Sequence, residues 1–205
     1  MKTFLTLVTL ASIGLALSVP AHAAGSAEAA RSKVSMCIGC HGIPLYRTVY
    51  PEVYHVPKIA GQSREYIVKA LQAYKTGDRS HPGMTGIVRG LSDADMADLA
   101  AYYAAQSPRV RPQVVDAAKA AEGKRLADAH HCTACHRQDL SGQHHVPRVA
   151  GQDLEYLLRL LRAYKAQTMS DLDGFMTAAA QPLTDAEMES LAHYMATLPA
   201  PPSPR

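Results

Sequence analysis

Apolar positions recur at helical spacing twice along the chain. In the first half Ile67, Leu71 and Tyr74 form one stripe, and Met96, Leu99 and Tyr103 form another. In the second half Leu154, Leu157, Leu158 and Leu161 match the first stripe, and Met188, Leu191 and Met195 match the second. Such spacing puts each set on one helical face. Ser92-x-x-Asp95 and Thr184-x-x-Glu187 stand just ahead of the later stripes and predict capping boxes. One more helix in each half leads into a cysteine pair, over about 26–38 and 115–134. Hairpin dipeptides between alternating apolar runs are absent, so no strand is predicted and the fold class is all-α.

The two halves are copies. HVPKIAGQSREYIVKALQAYK begins at His55 and HVPRVAGQDLEYLLRLLRAYK at His145, with 12 of 21 positions identical at an offset of 90. GLSDADMADLAAYY and PLTDAEMESLAHYM match at an offset of 92. Each copy is long enough for one small domain. The stretch QSPRVRPQ, Gln106 to Gln113, has no helical period and holds two prolines. It reads as a stiff linker at 108–113, between domains at 24–107 and 114–199. The proline-rich end, 200–205, reads as a disordered tail.

The first residues stand apart. Lys2 precedes an uncharged apolar run, Phe4 to Val19, and Ala21-His22-Ala23 is a small-residue cleavage pattern. Residues 1–23 read as an export signal removed from the mature chain. The run is shorter than the ~20 residues of a spanning helix. Export implies a periplasmic, oxidising setting. The formal charge of +3 loses one unit with Lys2, too little to suggest nucleic acid as a partner. With no Trp and two Phe, the chain has a thin core for its length, which a bound group would fill.

Cys37, Cys40, Cys132 and Cys135 are the four cysteines, and each pair runs Cys-x-x-Cys-His, ending in His41 and His136. That string is the c-type haem attachment signal. Two thiols one helical turn apart reach the two vinyl groups of one haem, and the adjacent imidazole meets the iron. Disulfides, a zinc site and a thioredoxin-like motif are the competing readings. Duplication in matched surroundings weighs against all three.

An iron held by His41 or His136 has a second axial position. Met84 and Met176 lie at equivalent places, seven residues before Leu91 and Leu183, in segments read as loops. They are the predicted sixth ligands. Met169 has Gly77 as its counterpart and fails the symmetry, while Met36, Met96, Met188 and Met195 read as packing. His81 competes weakly with Met84, since copy two has Asp173 there. His193 reads as a surface or core histidine, and His55 and His145 as structural hydrogen-bonding groups.

With these residues and the AGQxxEY and L[ST]DxxM…LAxY segments, the chain resembles the dihaem class I cytochromes c of the cytochrome c4 family, from about Ala27 to Leu198. The resemblance implies two tandem class I cytochrome c domains, each wrapped around one covalently attached haem, with first and last helices crossing. It implies two haem c groups as cofactors. It implies that the Pro57 and Pro147 carbonyls accept from His41 and His136. It also implies that Arg79, in Gly77-Asp78-Arg79, pairs with a haem propionate, against a solvated salt bridge as the plain alternative. Copy two lacks this arginine and has Asp171 and Asp173 instead.

Two departures stand out. Copy one carries GIPLYRTVYPEVY after its haem motif, with Tyr46, Tyr50 and Tyr54, as a docking patch or a cover for the haem. Its first helix lacks a match for Gly123, leaving Ala27 or Ala30 at the helix crossing.

The function implied is periplasmic transfer of single electrons between redox proteins, such as a respiratory complex or dehydrogenase and a terminal oxidase. No catalytic residue is assigned. Peripheral membrane association, and a monomer or weak oligomer, fit equally. The alternative is a dihaem oxidoreductase, or the haem subunit of one, acting on a small substrate; it needs an open iron or an unusual ligand, and no cysteine is spare. A third class, a non-haem metal module, predicts zinc and a colourless protein.

Overall fold

The computed structural model describes residues 25–109, 111–171 and 173–201. The segment 1–23, read above as an export signal, and most of the proline-rich tail lie outside them. Copy one runs from a 3-10 turn, Ala29–Ser32, into α1 (Ser35–His41), a short antiparallel pair β1 (Arg47–Thr48) and β2 (Tyr54–His55), then α2 (Arg64–Thr76), α3 (Pro82–Val88) and α4 (Asp93–Ala104). Copy two gives α5 (Ala117–Ala129), α6 (Cys132–His136), α7 (Leu154–Lys165), α8 (Phe175–Ala180) and α9 (Asp185–Thr197).

Local signals explain most boundaries. Ser92 accepts from the Asp95 N–H while Asp95 reaches back to the Ser92 N–H, and Thr184 and Glu187 repeat the arrangement at α9. Asp116 caps α5 by accepting from Ala118 and Lys119. Gly77 ends α2 with φ 95°, a left-handed cap that glycine adopts without a Cβ clash.

The helices before the cysteine pairs differ from expectation. Copy one has no continuous helix over 26–38, only the 3-10 turn and then α1. In copy two the helix expected over 115–134 breaks after α5: His131 takes φ 53° and α6 restarts at Cys132. The two-stranded β1–β2 pair, which ties the copy-one insertion to His55 of the repeated segment, is likewise absent from the sequence expectation.

Each copy has its own core. Leu126, Leu140, Leu157, Leu161, Leu183, Leu191 and Met195 pack together in copy two. Val34, Val88, Leu91, Met96 and Leu99 do so in copy one, beside Ile67, Ala100 and Tyr103. Helices α5 and α9 cross at Gly123, where a Cβ would stand 2.0 Å from the Ser190 carbonyl oxygen. In copy one the close approach is made by Gly25, whose Cβ would lie 2.1 Å from Ala97 O; Ala30 is buried in the core instead. The glycine thus sits outside the segment where Ala27 or Ala30 was expected to serve.

The copies are joined by a reciprocal contact. Gln152 accepts from the Lys58 N–H at 2.9 Å and donates to the Lys58 carbonyl at 2.8 Å. Gln62 accepts from the Arg148 N–H at 2.8 Å and donates to the Arg148 carbonyl at 3.0 Å. The glutamine of each AGQ therefore pairs like a strand edge with the VP[KR] backbone of the other copy. Arg148 is 1% exposed and crosses the same boundary, donating to Ala60 O at 3.0 Å and Ala150 O at 2.8 Å. Burial pushes its guanidinium down to about 10. The linker is held too, by Arg111 on Asp153 at 2.9 Å and Gln113 on the Gln152 carbonyl at 2.9 Å.

Candidate haem sites

Each Cys-x-x-Cys-His run forms a helical turn that ends at its histidine, on α1 and on α6. Positions i, i+3 and i+4 share a helix face, so both sulfurs and the imidazole of a run point to one side. Cys37 packs against Ile67, Ala100 and Tyr103, and Cys132 against the core of copy two. Burial raises both thiols above their ordinary range. All four thiols are free.

The histidines are fixed by the segment that follows. The Nδ1–H of His41 donates to the Pro57 carbonyl at 2.8 Å, and that of His136 to the Pro147 carbonyl at 2.8 Å. A carbonyl can only accept, so Nδ1 carries the proton and Nε2 keeps its lone pair. Burial lowers the proton affinity of both rings, which keeps them in the neutral form that binds metal.

Each histidine lines a cavity. The first, about 400 Å3, gathers Cys37, Cys40, His41 and Met84. The second, about 230 Å3, gathers Cys132, Cys135, His136 and Met176. The two methionines do not lie in loops, as the sequence suggested, but on the short helices α3 and α8. Local caps explain this. The Met84 N–H donates to His81 Nδ1 at 3.3 Å, with Pro82 opening the helix. In copy two Asp171 takes over, accepting from the Met176 N–H at 2.9 Å and the Thr177 N–H at 3.1 Å.

The other candidates fall out as follows. Met169 is buried against Tyr164 and Ala180 and packs. Met96, Met188 and Met195 are buried, but Met36 is half-exposed at the mouth of the first cavity, not in a core. His81 shares that cavity with Met84. His193 accepts from the Asp116 N–H at 3.0 Å. His55 pairs with Glu155 at 3.1 Å and His145 with Asp173 at 2.8 Å.

The copy-one insertion covers its cavity: Tyr46, Tyr50 and Tyr54 all line it. It is pinned to copy two through Arg47 on Glu155 at 3.0 Å and Glu52 on Arg159 at 3.3 Å. Its outer side stays apolar and open, with Val49 78% and Tyr50 68% exposed. Sequence reasoning missed that each cavity borrows residues from the other copy. Tyr156 of copy two lines the first, and Tyr66 of copy one lines both. The signal was available, since Tyr66 and Tyr156 are the same position of the repeat.

Haem fits this setting on two further counts. The walls are mostly apolar, and Arg79, 4% exposed, lines both cavities. Its Nη1 donates to the Tyr66 hydroxyl at 3.0 Å, while Nε and Nη2 have no partner. The solvated salt bridge considered for this arginine is not what the structure has. Among the described residues there is no group of three or more His, Cys, Asp or Glu side chains able to hold a bare metal ion.

Two small helical domains, each closing an apolar cavity over a Cys-x-x-Cys-His turn, define a c-type cytochrome with two attachment sites. The cytochrome c family profile matches residues 27–105 and again 120–199. Cytochrome c4 of Azotobacter vinelandii is 34% identical, over 92% of this chain and 94% of that one. The thiosulfate dehydrogenase electron acceptor of Thiomonas intermedia is 30% identical, over 88% and 87%. The crystal structure of reduced recombinant cytochrome c4 from Pseudomonas stutzeri superposes with a TM-score of 0.73 at 29% identity, covering 85% of this chain and all of that one. The chain belongs to the cytochrome c family and, within it, to cytochrome c4: a dihaem electron-transfer protein with two covalently bound haem c groups.

Proposed function

We propose that the chain is a periplasmic carrier that passes single electrons from a dehydrogenase or respiratory complex to a terminal oxidase. Domains 24–107 and 114–199 each hold one haem, through Cys37 and Cys40 and through Cys132 and Cys135. His41 and Met84 would hold the iron of the first haem, His136 and Met176 that of the second. The haem iron supplies the one-electron Fe(II)/Fe(III) couple. The protein's part is to hold the imidazoles through Pro57 and Pro147 and exclude water with apolar walls, and Met84 and Met176 would each offer the iron a sulfur. A closed iron leaves substrate no place to bind, which favours a carrier over an enzyme.

The observation that supports this reading best is the gathering of two thiols, a proton-fixed imidazole and a methionine in each of two cavities. A relative named as an electron acceptor of thiosulfate dehydrogenase supports a dehydrogenase as donor. The test is a pyridine haemochrome assay and an intact mass on protein made with the haem-attachment machinery, followed by anaerobic titration. Two haems per chain, low-spin iron and a weak far-red methionine–iron band that resists cyanide are expected. Met84→Ala and Met176→Ala each remove about half of that band. A colourless protein, or iron that takes up cyanide in the wild type, refutes the proposal.

A further inference from the structure

The join between the copies reaches the support of each haem-site histidine. The Pro57 carbonyl and the Lys58 N–H belong to one peptide group. Its carbonyl accepts from His41 Nδ1–H at 2.8 Å, and its N–H donates to the side-chain oxygen of Gln152, in copy two, at 2.9 Å. Copy two mirrors this. The Pro147 carbonyl accepts from His136 Nδ1–H at 2.8 Å, and the Arg148 N–H donates to the side-chain oxygen of Gln62, in copy one, at 2.8 Å. One peptide group therefore separates each imidazole from a glutamine of the other copy.

Both glutamines are held in place. Gln62 is 4% exposed and Gln152 5%. Each side-chain oxygen takes a second N–H, from Ser63 at 2.9 Å and from Asp153 at 3.0 Å. Each side-chain nitrogen donates to the carbonyl of the residue gripped, Arg148 at 3.0 Å and Lys58 at 2.8 Å. Resonance links the two ends of a peptide group. A peptide whose N–H is already donating has a more negative carbonyl oxygen, and bonds in such a chain strengthen one another by roughly 10–30%. That oxygen draws harder on the Nδ1 proton and makes the imidazole a stronger base toward a metal.

We propose that Gln62 and Gln152 are crossed tuning residues: each acts through a peptide group on the histidine of the opposite domain, and so sets the potential of that domain's haem. This rests on the haem-site reading above. Both are positioning residues, since neither touches the cofactor. A more basic imidazole favours Fe(III). Removing the glutamine oxygen therefore favours Fe(II) and raises the potential, in the other domain and not in its own.

The test is anaerobic spectroelectrochemistry of the full-length protein, with haem content measured on every sample. Met84→Ala and Met176→Ala assign the two titration waves, each displacing the wave of its own haem. Gln62→Met keeps the length of the side chain and removes its polar atoms. It is expected to raise the potential of the second haem by about threefold in the reduced-to-oxidised ratio, which is ~28 mV at ~59 mV per tenfold. Gln152→Met is expected to do the same to the first haem. Gln62→Glu and Gln152→Glu keep an acceptor oxygen and add charge to it. In each, the wave of the opposite domain moves to lower potential by more than the other wave. These two carry the test if the methionine variants do not accumulate. A merely structural role would move both waves alike or neither, and either result overturns the crossed tuning, as does a shift confined to the glutamine's own domain. A wild type with fewer than two haems, or Met84→Ala and Met176→Ala proteins that displace no wave, overturns the haem-site reading itself, so the two failures are told apart.

Discussion

Replacing Gly123 by alanine puts one methyl group where α5 meets α9. The new Cβ would stand 2.0 Å from Ser190 O, 2.5 Å from Ser190 C and 2.8 Å from Tyr194 Cβ. Ordinary contact begins near 3.4 Å, so the two backbones must part by about 1.4 Å. The obstacle is main chain, so no side-chain rotation relieves it. Alanine gains up to about 1 kcal/mol in helix propensity. Overpacking against a rigid neighbour costs about 3 kcal/mol. The net loss is therefore about 2 kcal/mol, or roughly 8–16 °C in the midpoint of a domain that unfolds on its own. Because α9 carries Leu191 and Met195 into the second cavity, the disturbance reaches that site. Thermal unfolding followed by far-UV and Soret circular dichroism measures both effects. Gly86→Ala is the control: it lies within α3 with nothing within 4 Å of its Cβ, so it should hold or raise the midpoint. A Gly123→Ala protein as stable as the control would show that the crossing does not depend on a missing side chain.

Gln152→Ala should loosen the join between the domains. It orphans the Lys58 and Asp153 N–H groups, now 2.9 and 3.0 Å from the side-chain oxygen, and the Lys58 carbonyl. The expected cost is about 3 kcal/mol in guanidinium unfolding, with faster proteolysis near the linker; an unchanged midpoint contradicts it. The amino-terminal segment of copy one should be acid-labile. Lys33 bonds Asp95 at 2.6 Å and Asp98 at 2.8 Å, and these bonds hold both carboxyls below their ordinary range. Carboxyls that titrate lower when folded contribute stability above about pH 4, lost as pH falls toward their folded values. Lys33→Met should flatten that acid loss, as read from melting points between about pH 5 and 2. Parallel wild-type and variant curves would be the contrary result.

Much of this protein is decided by local sequence. The Cys-x-x-Cys-His runs, the duplicated stripes and the capping boxes at Ser92 and Thr184 act over four residues or one helical turn, and such short-range chemistry is readable without the fold. The repeat then gives the domain count, because two matching sets of apolar faces need two cores. What the tertiary structure decided lies across the boundary between copies. The pairing of Gln62 and Gln152 with the opposite backbone, the loan of Tyr156 to the first cavity, and the burial of Arg79 between both cavities join residues far apart in sequence. No periodicity encodes which surface a polar side chain meets. The break at His131 and the approach of Gly25 to Ala97 have the same origin: packing overrode a weak local preference. Sequence chose the chemistry of each site; long-range packing set how the two sites face one another.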